Sequence, residues 1–247
     1  MHSKYFLDYL RKVQNLIDEA KEQESSVISD AADLIVEAIA RERVLYVFGP
    51  SHAGILAQDL FYRAGGLMAI QPIFAAGLML NERPITRTSS LERLSGFAEV
   101  LIKDLNTQNG DVALLISVSG RNPVVVEMCT GLQEKGLKVI ALTSLAYSKN
   151  VEPRSGSKRL FEVADIVINL PGQFGDAAIE IYGLKQRVGP TSTSVGSAIL
   201  QGLMVEVSSR LSLNGIAPPV LFSANLDEGD EKNQELLDLY RSRLDYI

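Results

Sequence analysis

The segment Ile116-Ser117-Val118-Ser119-Gly120-Arg121-Asn122-Pro123 sets two hydroxyls, a glycine and an amide side chain between an unbroken apolar run and an amphipathic one. With a strand before it and a helix after it, the hydroxyls of Ser117 and Ser119, the free N–H groups around Gly120 and the positive end of the helix converge on one anion. Gly120 lets the backbone approach closely. The same residues also read as an ordinary strand-to-helix turn capped by Ser and Asn, and spacing alone leaves both readings open.

Proton transfer needs a second set of groups. His52, one of two histidines in the chain, follows Gly49-Pro50-Ser51 at the expected mouth of the same cleft. An imidazole there serves as general acid or base near neutral pH, or only as a hydrogen-bonding group at a helix start. Carboxylates are less well singled out. Glu82 lies in the loop NERPITRTSS with Arg83 and Arg87, Asp59 on a helix, and Glu206 in the apolar run Leu203-Met204-Val205-Glu206-Val207, where an unpartnered charge is costly. Each also reads as a solvated or outward-facing charge. A single histidine without a carboxylate at i+4 provides no metal-ligand set, and the acidic stretch 225–233 lacks the EF-hand spacing and reads as an Asp-capped helix start. Neither a metal nor any other cofactor is implied.

Composition narrows the field. The chain has 247 residues, enough to bury one large core, and a single cysteine, Cys129, which excludes an internal disulfide and suits a reducing compartment. With 30 acidic against 24 basic residues and no basic stripe interleaved with aromatics, nucleic acid is not an expected partner. No basic-then-apolar leader and no run of about 18 apolar residues is present, so no membrane is expected and the chain reads as cytoplasmic.

The elements that must position these groups alternate. Two amphipathic helices come first, from Tyr5 to about Lys21 and from a Ser25, Ser26 or Ser29 cap to near Arg41. The apolar runs 44–48, 67–74, 111–118, 137–143 and 166–170 read as strands, with helices expected over 53–63, 91–105 and 122–135 and loops over 81–90 and 144–158. Repeated β-then-α order requires crossover helices and predicts an α/β fold with a doubly wound, mainly parallel five-stranded sheet. A long helix over 194–213 and a last one over 231–243 follow. One domain is expected, with an N-terminal helical extension (1–42), an α/β core (43–213) and a C-terminal segment and helix (214–247).

The Ile-Ser-x-Ser-Gly-x-Asn run after a strand resembles the signature of the sugar isomerase (SIS) domain family. Val47-Phe48-Gly49, Ala141-Leu142-Thr143-Ser144 and Gly189-Pro190-Thr191-Ser192-Thr193 resemble further family motifs, so the likeness spans about Val44 to Arg210. Phe61-Tyr62-Arg63-Ala64-Gly65-Gly66 and Ser223-Ala224-Asn225-Leu226-Asp227 look closest to an uncharacterised phosphosugar-binding subgroup. The resemblance implies that Ser117, Ser119 and Asn122 hold phosphate, that Thr143 and Ser144 lie near the sugar end of the pocket, and that Ser192, in the loop entering the late helix, also contacts the phosphosugar. One departure is that the family's usual Gly-x-Gly-x-Ser turn reads Gly49-Pro50-Ser51-His52-Ala53, leaving Ser51 to supply the contact from that turn. The implied function is an aldose–ketose sugar-phosphate isomerase acting as a homodimer or homotetramer, the alternatives being a non-catalytic sugar-phosphate sensor and a sugar-phosphate lyase or etherase.

Overall fold

The computed structural model describes residues 3–154, 156 and 158–246. In chain order the elements are α1 (Lys4–Gln23), α2 (Ser25–Ala40), β1 (Leu45–Phe48), α3 (Ala53–Leu60), β2 (Ile70–Pro72), α4 (Thr86–Glu92), α5 (Phe97–Lys103), β3 (Val112–Ile116), α6 (Pro123–Glu134), β4 (Lys138–Thr143), α7 (Leu145–Ser148), a 3-10 turn (Leu160–Glu162), β5 (Ile166–Asn169), β6 (Ala177–Ile179), β7 (Val188–Pro190), α8 (Ser192–Leu213) and α9 (Gly229–Tyr240).

The five apolar runs read as strands form one parallel sheet in the order β2-β1-β3-β4-β5. Every residue of β1 and β3 is buried, because helices cover both faces and alternation with polar residues has no place. Leu45 registers with Ile70 on one side and Val112 on the other, so β1 and β3 start level and β3 runs one residue further. Pro72, which cannot donate to a ladder, stands at the end of the edge strand β2. Helices α1, α2, α3 and α8 pack together as one layer, and α4, α5 and α6 as another. At the start of the sheet the buried Asp111 carboxylate accepts the Val44 N–H at 3.0 Å and is met by Arg243 at 2.9 Å, fixing where β1 and β3 begin.

Four sequence expectations change. The helix expected over 91–105 is two short helices, because Gly96 takes φ +82 and restarts the chain at α5, and α4 begins inside the expected loop at Thr86. The expected loop 144–158 contains α7. Helix α3 stops at Leu60, where Phe61 turns extended and Tyr62 takes φ +43. The α9 cap position is Glu228, not Asp227 or Asp230, and Asp230 lies in the first turn. The antiparallel hairpin β6–β7 had no signal strong enough to be read. Among the described residues no helix is long and apolar enough to cross a membrane.

Candidate functional site

The chain runs from β1 outward to β2 and then returns to β3 on β1's other side, so a crevice opens beyond the C-terminal ends of β1 and β3. In open parallel sheets this switch point is where ligands bind. The two loops that line it are 49–52, leading into α3, and 117–122, leading into α6.

The second loop is shaped for close backbone approach. Asn122 holds the extended cap position and Pro123, whose missing N–H costs nothing there, opens α6. Gly120 takes φ +58, and its N–H donates to Ser117 Oγ at 3.2 Å. A Cβ on Gly120 would lie 3.1 Å from both Ser148 Oγ and Thr143 Oγ1, and 3.2 Å from Leu160 Cβ, so only glycine fits without displacing the neighbouring side chains. The loop is roofed by the segment after α7: Leu160 N–H donates to Gly120 O at 2.8 Å and Arg154 N–H to Arg121 O at 2.9 Å. Arg159 ties that roof down, donating to the carbonyls of Ser148 and Val151 and to both Glu162 oxygens, and its hydrogen bonds hold the Glu162 carboxyl at about 2.

The first loop is a tight turn. A Cβ on Gly49 would lie 2.6 Å from the Ala53 backbone and one on Gly54 2.7 Å from Gly49 O, so both glycines are required by the approach of α3 to β1. Ser51 takes φ +55 and donates its N–H to Leu78 O at 2.8 Å. Ser51 therefore bears the cost of a left-handed backbone that a glycine would adopt freely. His52 stands exposed at the cap position of α3 and makes no side-chain capping bond.

Between the loops lies a carboxylate that sequence reasoning missed. Glu92 ends α4, and the packing of α4 on α6 brings it to Asn122, whose Nδ2 donates to Glu92 Oε2 at 2.7 Å. Arg154 Nη1 donates to the other side of the same amide, Asn122 Oδ1, at 2.9 Å. Burial pushes the Glu92 carboxyl above its ordinary range, against the opposing pull of Asn122, Arg93, Arg154 and His52. Arg154 in turn is held below its usual value, first by burial and then by repulsion from Arg121 and Arg93. Three guanidiniums and one carboxylate thus crowd the mouth of the loop, and Arg121 Nε is buried without a partner among the described residues. The Ser95-Gly96 break after Glu92 was the available signal, since it ends a helix there.

The other expected residues fall in different places. Glu82 Oε2 accepts the Gly77 N–H at 2.5 Å and closes the loop whose Leu78 carbonyl receives Ser51. Thr143 and Ser144 stand at the end of β4 beside the Gly120 loop, with Thr143 Oγ1 donating to Val118 O at 3.3 Å and Ser144 N–H to the same oxygen at 3.1 Å. Ser192, at the start of α8, donates both its N–H and its hydroxyl to Asp176, at 2.9 and 2.7 Å. Glu206 is not brought to the cleft: it lies fourteen residues, about 21 Å, along α8 from Ser192 and pairs with Arg210, which also binds Asp33 and the Ser29 carbonyl. Asp59 joins α3 to α8 through Ser197 and Gln201. Burial pushes the Cys129 thiol up to about 12, leaving it inert. Among the described residues no group of three or more His, Cys, Asp or Glu side chains is placed to hold a metal.

Comparison with known proteins decides the family. The sequence pattern of the SIS domain matches residues 8–144, covering both lining loops. Along nearly its whole length the chain is 44% identical to a UPF0309 protein of Shouchella clausii, covering 98% of this chain and 99% of the relative. A UPF0309 protein of Oceanobacillus iheyensis is 40% identical over the same shares. The chain is a SIS-domain protein of the UPF0309 family.

Solved SIS folds agree with the architecture. The phosphoheptose isomerase of Neisseria gonorrhoeae superposes with a TM-score of 0.55 at 16% identity, covering 83% of this chain and 98% of that one. That of Francisella tularensis gives 0.53 at 18% identity, covering 85% and 100%. At such identities the likeness shows the fold.

Proposed function

We propose that this SIS domain binds a sugar phosphate at the β1/β3 switch point and interconverts its aldose and ketose forms. The observation that carries the reading is Glu92, a carboxylate raised by burial and held by Asn122 at the very loop suited to phosphate. In this reading the phosphate lies on Ser117, Ser119 and Gly120 at the start of α6, with Asn122 and the arginines at the mouth adding donors. Ser51 faces the sugar, while Thr143 and Ser144, buried at the end of β4, support the Gly120 loop at the sugar end.

Glu92 then acts as the base. In the open-chain aldose its carboxylate takes the proton from C2, the electron pair forms the C1–C2 double bond of an enediolate, and the proton returns at C1 to give the ketose, while His52 moves a proton between the two oxygens. A carboxylate raised toward neutrality is a stronger base than an exposed one, which suits this step. Glu92 takes the place that Glu82 and Glu206 held in the sequence reading. The phosphoheptose isomerases that share the fold bear names of the same reaction class.

Exposed Tyr5, Phe6, Leu7 and Leu10 on α1 and Val205 on α8 support a homo-oligomer, which sedimentation would size. The function is tested by incubating the protein with aldose and ketose phosphates and reading interconversion by NMR. Binding without interconversion would favour a sensor, and release of a non-sugar product a lyase or etherase.

A further inference from the structure

The start of α8 has the makings of a second anion site, and part of this chain occupies it. Asp176 Oδ1 accepts the N–H groups of Thr191 and Ser192 at 3.1 and 2.9 Å, and Oδ2 accepts the Ser192 hydroxyl at 2.7 Å. A carboxylate received by two helix-terminal N–H groups and a hydroxyl is arranged as a bound anion would be.

Two independent observations lie under the same segment. Thr191 and Ser144 are 0% and 2% exposed, and among the described residues neither the Thr191 Oγ1 nor the Ser144 Oγ hydroxyl has a hydrogen-bond partner. Both face one point, lying 3.9 and 4.0 Å from where a Cβ on Gly172 would stand. Buried hydroxyls without partners cost free energy, and an ordinary helix cap gives no reason to collect two of them under the capping loop. The segment that covers them is held by Asp176 itself and by Arg187, which donates to Gln173 Oε1 at 2.7 Å. Gly175 and Asp176 take φ +84 and +68, and Phe174, 59% exposed, rests on the Tyr147 ring at 4.8 Å. Tyr147 belongs to α7, the element that leads into the roof over the Gly120 loop.

We propose that residues 171–176 are an autoinhibitory plug, in which the Asp176 carboxylate stands in for a phosphate-class oxyanion at the start of α8. Withdrawal of the plug frees the Thr191 and Ser192 N–H groups and the hydroxyls of Thr191, Ser192 and Ser144 together. The plug rests on the sugar-phosphate reading only for the identity of the natural ligand. A ligand that needs this site binds the wild type with its affinity reduced by the fraction of molecules in which the plug is out.

The experiment is a calorimetric titration with inorganic phosphate of the wild type, of Asp176→Ala and of Asp176→Ala combined with Ser119→Ala and Asn122→Ala. Asp176→Ala is expected to take up one phosphate equivalent more than the wild type, and the triple variant to keep that extra equivalent. Unchanged stoichiometry with only a lowered melting temperature would overturn the plug and leave Asp176 a helix cap. Should Asp176→Ala fail to fold, Asp176→Asn keeps a capping oxygen without the charge. It is then expected to bind phosphate at least about tenfold more tightly than the wild type at the α8 site, and equal affinity overturns the proposal. A wild type unaffected by Ser119→Ala and Asn122→Ala would count against the phosphate loop and not against the plug, because the extra equivalent is read as a difference.

Discussion

Asn122 Nδ2 donates to Glu92 Oε2 at 2.7 Å, joining the first residue of the α6 terminus to the last residue of α4. One of the two amide N–H groups positions the carboxylate and the amide oxygen receives Arg154, so Asn122 links Glu92 to the loop at the start of α6. In the proposed reading, phosphate binding and proton transfer are coupled through that one side chain.

Replacing Glu92 by Gln removes the base while keeping a group of the same shape. Turnover is expected to fall by about 10² to 10⁴, the usual share of general-base catalysis, with sugar-phosphate affinity within a fewfold of wild type. Steady-state kinetics and calorimetry on one preparation check this; a loss of binding equal to the loss of turnover would make Glu92 a structural residue.

The same substitution changes stability with pH. The folded carboxyl is raised above its ordinary value of 4.5, so between 4.5 and the raised value the folded state binds more proton than the unfolded. The contribution of Glu92 to stability is therefore greatest below 4.5, falls as pH rises through that window, and is constant above it. Melting curves from pH 4 to 8 are expected to show this fall in the wild type and not in Glu92→Gln.

Ser119→Ala with Asn122→Ala is expected to weaken sugar-phosphate binding by at least about tenfold with the fold retained, since hydrogen bonds to a charged group contribute about 1.5–3 kcal/mol each. Asn122→Ala alone also removes a hydrogen bond that lowers the Glu92 pKa, so the acidic limb of the pH–rate profile moves to higher pH. A profile that stays in place would separate Glu92 from the rate-limiting proton transfer.

The first turn offers a contrast between two small residues. Gly49→Ala sets a Cβ 2.6 Å from the Ala53 backbone and is expected to destabilise by about 2–4 kcal/mol, in the range of severe steric substitutions. Ser51→Gly relieves the positive φ of Ser51 but gives the unfolded chain more freedom, so its effect is expected within about 1 kcal/mol of zero. Chemical denaturation measures both.

The sheet was legible because β1, β3 and β4 are apolar runs too continuous for a half-exposed strand, and the strand-to-helix loop after β3 because Ser117, Ser119 and Gly120 stand directly after that strand. Glu92 was not. Its position depends on a helix break at Gly96 and on α4 packing across to α6, a contact between residues 30 apart that no local pattern encodes. Glu206 misled for the opposite reason: a charge in an apolar run implies a partner, and the partner is Arg210 one turn away rather than a ligand. Ser51, which stands where the family motif usually has glycine, takes φ +55, a conformation no sequence pattern marks for a serine. The hairpin β6–β7, with three residues in each strand, is too short for periodicity to mark.

Deuterium exchange tests the central claim most directly. Wild type and Glu92→Gln would be incubated in D₂O with a panel of aldose and ketose phosphates and followed by proton NMR. The account predicts that at least one aldose phosphate loses its C2 proton signal and gains the matching ketose with the wild type, and that neither change occurs with Glu92→Gln. Interconversion at the same rate in both proteins would contradict the assignment of Glu92, and a wild type that binds a sugar phosphate without exchange or interconversion would contradict the isomerase.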